Sequence, residues 1–110
     1  MIAVTVYRRN GAYQGLCAEG HAGYAEAGED IFCAAASALL INTVNSIEAL
    51  AGDSVSADEK DGYLKCSFPD GLSGKGTLLM DSLILGIRQM EESADPDTGK
   101  PYVRLFFEEV

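Results

Sequence analysis

Basic side chains are scarce in this sequence: eight stand against seventeen acidic ones, for a formal net charge of -9. Binding to phosphate backbones needs clustered lysine and arginine, so a direct nucleic-acid contact is not expected. A basic protein partner suits the charge, and so does plain solubility; charge alone does not separate the two. Cysteine is limited to Cys17, Cys33 and Cys66, an odd number with no Cys-x-x-Cys spacing. Neither a secreted disulfide framework nor a zinc module is indicated, and no metal and no cofactor is expected. Basic residues do not precede the first apolar run but follow it, as Arg8 and Arg9. That is the reverse of a secretory signal and predicts a cytoplasmic protein. The longest uncharged stretch, Ile31 to Ile47, is broken by Ser37, Asn42, Thr43, Asn45 and Ser46. It is expected to fall short of a membrane span and to form a buried helix, so no membrane contact is expected. No internal repeat or low-complexity tract is present.

What is present suits one domain. A chain of 110 residues, 47% hydrophobic, buries roughly two-thirds of its unfolded surface. A single domain over residues 1–110 is expected. The only histidine, His21, stands twelve positions before Cys33. Cys33 falls in the first turn of the longest apolar segment, with Asp30 where an N-cap would stand.

A thiol with a pKa near 8.5 is only a few per cent thiolate at neutral pH, and the thiolate is the nucleophile. The helix end contributes about 0.3 to 1 kcal/mol, less than the ~1.36 kcal/mol of one pKa unit. Glu29 and Asp30 oppose a further negative charge. A reactive Cys33 therefore depends on His21 pairing with it as imidazolium. Glycines at 20, 23 and 28 allow the intervening loop to bend sharply or move, and the loop is expected to be mobile until substrate orders it. The structural alternatives are a Cys33 that is only a small buried hydrophobe and a His21 that is only a loop residue.

Taken in order, strand and helix signals alternate. Ile2, Val4 and Val6 alternate with Ala3, Thr5 and Tyr7 as a half-buried strand. Asn10-Gly11 predicts a hairpin, and the partner strand, about Tyr13 to Glu19, delivers Gly20 and His21 at its end. Cys17 in that strand is expected to pack, with a secondary candidacy for reactivity. A helix follows from about Ile31 to Leu50, apolar on most sides and expected to be covered by layers on both. It places Cys33 and Ser37 one turn apart on one face; Ser37 either lines a cleft with the thiol or bonds back to the preceding turn.

A second hairpin is predicted from Val55 to Asp58 and Tyr63 to Phe68 around the turn Glu59-Lys60-Asp61-Gly62. The glycine-rich run Gly71 to Thr77 is not a phosphate-binding loop, because Pro69 and Gly76 stand where that pattern needs glycine and a hydroxyl residue. It leads into a second helix, about Leu78 to Glu92. A closing strand follows, with Val103, Leu105 and Phe107 alternating with Tyr102, Arg104 and Phe106. The order β-β-α-β-β-α-β predicts an α+β fold, a mainly antiparallel sheet with two helices. The closing strand is apolar on both faces, and this predicts a homodimer that covers it.

The run Gly20-His21-Ala22-Gly23, then Gly28-Glu29-Asp30-Ile31, then Cys33-Ala34-Ala35 and Ser37, resembles the signature of the ribosomal-processing cysteine proteases called Prp. The likeness extends over the whole chain in length and order of elements. Phe32 departs conservatively from the valine expected there. The resemblance implies a cysteine endopeptidase that removes the short N-terminal extension of a bacterial large-subunit ribosomal protein, the one numbered twenty-seven. It implies Cys33 as nucleophile, His21 as general base and later acid, and Ser37 at the substrate site, with Gly20, Gly23 and Asp30 as further substrate-binding candidates. Two other classes use the same residues. One is a non-catalytic ribosome-associated peptide-binding module, and the other an acyl-transfer enzyme acting on a small thioester.

Overall fold

Asn10 and Gly11 take positive φ, 52° and 81°, the backbone form that turns a two-residue hairpin in step with strand twist. A computed structural model, which describes residues 1–20 and 31–110, sets them between β1 (Ile2–Arg9) and β2 (Ala12–Glu19). The period-two pattern of β1 is realised directly, since Ile2, Val4 and Val6 are buried and Ala3, Thr5 and Tyr7 half-buried. After β2 come α1 (Ile31–Ala49), β3 (Ser56–Lys60), β4 (Tyr63–Ser67), α2 (Gly74–Glu91) and β5 (Val103–Glu109).

The five strands form one sheet in the order β3-β4-β2-β1-β5. Three pairings are antiparallel and the fourth, β1 with β5, is parallel. The expected α+β fold with a mainly antiparallel sheet is therefore found. Side chains directly across a ladder share a face. Ile2, Val4, Val6, Leu16, Leu64, Cys66 and Val103 thus form the inner face, packed with Leu40, Val44 and Ile47 of α1 and Met80, Leu83 and Ile87 of α2. The opposite face carries Thr5, Cys17, Lys65 and Phe106. Phe106 is 41% exposed, while Leu105 and Phe107 turn inward and pack against the core.

Five expectations are corrected. α1 is not covered on both sides: Ala34, Ala35, Ala38 and Asn42 are exposed and its buried stripe is Ala36, Leu40, Thr43, Val44 and Ile47. Small alanines gave the helix an all-round apolar composition without requiring a second layer. At 19 residues it is also long and apolar enough to cross a membrane by length and composition, but its buried stripe is spent on the sheet.

α2 begins at Gly74, four residues before Leu78, because Ser73 caps it by accepting the Gly76 N–H at 3.1 Å. Asp53 in turn accepts from the Ser73 N–H and hydroxyl at 3.0 and 2.9 Å, and a side chain at Gly76 would collide with that carboxylate. Capping outweighs the low helix propensity of two glycines. The β3 strand runs on to Lys60, which leaves Asp61-Gly62 as a two-residue turn with Gly62 at φ 70°. Finally, β5 starts at Val103 and continues to Glu109, paired with β1 to Arg8.

Candidate active site

Cys33 is the third residue of α1 and is half-buried. Its sequence neighbour Phe32 stacks on Tyr102, with ring centroids 4.3 Å apart. Tyr102 is itself buried and its carbonyl accepts the Ile2 N–H at 2.8 Å. The first turn of α1 is thus pinned to the junction between β1 and β5. From Cys33 the cleft follows α1 through Ser37 to Ile41, residues one turn apart on a single edge. The facing wall is the β3–β4 hairpin, with Glu59, Asp61 and Gly62, and Ile2, Leu40 and Leu64 line the cleft between them.

Gly20 also lines the cleft. Its φ of 101° lies where glycine is favoured, and any side chain there would collide with the Met1 carbonyl oxygen. Its N–H donates to the Gly62 carbonyl at 2.9 Å. The end of β2 is therefore fixed against the hairpin turn.

The three thiols differ in surroundings. Cys66 is 2% exposed, and burial pushes its thiol up to about 11. Cys17 pairs with Thr5 and Lys65 on the sheet face away from the helices. Its pKa is raised by burial first and by Glu19 second, against the lowering effect of Lys65 and a hydrogen bond with Tyr63. A thiol held protonated is a poor nucleophile, so neither environment suits attack. Of the three, Cys33 alone lines this cleft.

The electrostatics of the cleft are one-sided. Among the described residues, Glu19, Glu59 and Asp61 line it and no lysine or arginine does. Among the described residues none of these three carboxylates has an ion-pair partner. Such a cleft favours a peptide that brings positive charge.

The structure brings Cys33, Ser37 and Gly20 to one cleft. His21, Gly23 and Asp30, and with them the expected loop motion between Gly20 and Gly28, lie outside the described residues. A hydroxyl bond back to the preceding turn is made in α1 by Thr43, which donates to the Leu39 carbonyl at 2.7 Å. Ser37 is exposed at the cleft. Sequence reasoning missed Ile41, Glu59 and Asp61 as cleft residues. The signal for Ile41 was its place one further turn along the Cys33–Ser37 edge. In the sequence the two acidic residues carry only the signal of a polar turn.

Comparison with known proteins gives one consistent result. The family model for the cysteine protease Prp matches residues 1–98. The ribosomal processing cysteine protease Prp of Bacillus subtilis is 35% identical over 78 residues, which cover 66% of this chain and 70% of that protein. Its counterpart in Staphylococcus aureus is 30% identical over 76 residues, 67% of this chain and 72% of that protein. The S. aureus protease crystallised with a covalently linked product peptide superposes with a TM-score of 0.84 at 26% identity, covering 98% of this chain and 100% of that one. A Streptococcus mutans protein superposes at 0.75 with 33% identity over 100% and 99% of the two chains.

Proposed function

The chain belongs to the Prp family of cysteine proteases, and from that premise we propose that it removes the N-terminal extension of the large-subunit ribosomal protein numbered twenty-seven, with Cys33 as nucleophile. The observation that carries the assignment is the position of Cys33, the one cysteine that lines the cleft between α1 and the β3–β4 hairpin. A crystallised S. aureus relative is a ribosomal processing protease in complex with a substrate peptide, which supports a ribosomal protein precursor as the substrate here.

In this mechanism His21 takes the Cys33 proton and the sulfur attacks the scissile carbonyl carbon. The carbonyl oxygen becomes an oxyanion, for which backbone N–H groups at the start of α1 are the candidate donors. Collapse of the tetrahedral intermediate breaks the C–N bond, and the leaving amine takes the proton from imidazolium. Water, deprotonated by His21, then hydrolyses the thioester and releases the thiol. Ser37 contacts substrate from the same helix edge, and Gly20, Gly23 and Asp30 are the further substrate-binding residues of this proposal.

The acidic lining of the cleft suits a basic ribosomal precursor. The enzyme works in the cytoplasm, as one domain over residues 1–110, and without direct contact to nucleic acid or membrane. It works as a homodimer, for which the exposed Phe106, on the sheet face opposite the two described helices, supplies an apolar contact.

The test is incubation with the precursor ribosomal protein, read by mass. Loss of an N-terminal segment is expected with wild-type protein and not with Cys33→Ala. A precursor that stays intact overturns the substrate, and cleavage by Cys33→Ala overturns the nucleophile.

A further inference from the structure

Ile41 is a large apolar residue that stays 37% exposed while lining the same cleft as Cys33. Its neighbours Leu40 and Leu64 are buried, so Ile41 is the open end of an apolar floor. Covering such a side chain with another apolar group is favourable in proportion to the area removed from water. The edge Cys33, Ser37, Ile41 repeats every four residues, and a helix rises about 1.5 Å per residue, so the two ends of the edge lie about 12 Å apart. An extended peptide advances about 3.3 Å per residue and spans that interval in three to four residues.

We infer that Ile41 is a specificity-determining residue, the wall of an apolar subsite that receives the substrate side chain three or four residues from the scissile bond. The inference rests on Cys33 as nucleophile, since the distance is counted from its sulfur. An acidic side chain at that position is disfavoured because it loses water against Ile41 and faces Glu59 and Asp61 across the cleft. An apolar side chain meets neither obstacle.

The experiment uses peptides that span the cleavage site of the ribosomal precursor, with leucine or aspartate placed in turn at each position up to five residues on either side. With wild-type protein, aspartate is expected to lower kcat/KM about tenfold or more at one position three or four residues from the bond, mainly through KM. With Ile41→Lys the preference at that position reverses, while the rate of iodoacetamide reaction at Cys33 stays as in the wild type. Ile41 is partly exposed, so the folded protein tolerates lysine there. A wild-type profile that is flat three and four residues from the bond overturns the subsite and leaves the protease assignment standing. So does an Ile41→Lys effect of equal size on every peptide. Cleavage that survives in Cys33→Ala removes the nucleophile instead, and with it the origin from which the distance is counted.

Discussion

Phe32 and Tyr102, seventy positions apart in the chain, hold their rings 4.3 Å apart and inclined by 22°. A stacked pair contributes about 0.5 to 1.5 kcal/mol beyond its buried area, and here it fixes the turn that carries Cys33. Phe32→Ala is expected to lower stability by about 2 kcal/mol and kcat/KM by tenfold or more, because small misplacements of a reacting group are costly. Phe32→Leu should retain most of both. Urea unfolding and peptide cleavage measure the two effects, and lost stability with unchanged cleavage would show that the stack does not position the thiol.

The cysteines are expected to separate cleanly. Cys33→Ala and Cys33→Ser should keep the fold and lose cleavage, whereas Cys17→Ser should cleave normally. Because burial raises the thiols of Cys17 and Cys66, limiting iodoacetamide at about pH 8 should label Cys33 first. Peptide mass mapping locates the label. Prior labelling at Cys17 would contradict the environments described.

Gly20→Ala combines a left-handed backbone with a collision at the Met1 carbonyl. A cost of about 1 to 3 kcal/mol is expected, together with loss of the hydrogen bond to Gly62. Circular dichroism during thermal unfolding reads the first. An unaltered midpoint would show that the β2 end tolerates a side chain.

The Tyr13 hydroxyl donates to the Asp81 carboxylate and joins β2 to α2. Burial first, and that hydrogen bond second, push the Tyr13 pKa from 10.0 up to about 12. The folded protein therefore holds the phenol proton where the unfolded chain has released it. The contribution is fully present below about pH 10 and fades as pH rises towards 12. Tyr13→Phe is expected to be less stable at neutral pH, with a smaller decline across that alkaline window. Denaturant titrations at several pH values compare the slopes, and parallel curves would refute the linkage.

The order of elements was legible because the local signals agreed with the final packing. Val4 and Val6 read as inward residues and are inward. Asn10-Gly11 read as a hairpin and is one. Tertiary partners decided the rest. Asp53, twenty residues before Ser73, orients the cap that starts α2 among glycines, and no local pattern reports such a partner. The parallel pairing of β1 with β5 was likewise hidden. Periodicity reports which face of a strand is buried, not which strand lies beside it. Within the cleft, the shared helix edge of Cys33 and Ser37 could be read from spacing, while Glu59 and Asp61 join them only because the hairpin lines the same cleft.

The pairing of β1 with β5 orders events during synthesis. The strand made first lacks its neighbour on one edge until Val103–Glu109 has been translated, and the aromatic anchor of Cys33, Tyr102, arrives just before it. Contacts between such distant segments form late, because a long loop must close before they are rewarded. On a translating ribosome the nascent chain therefore carries its thiol before it carries the support that aims it. Until that last segment is made, the cleft along α1 lacks the aromatic contact that pins its first turn.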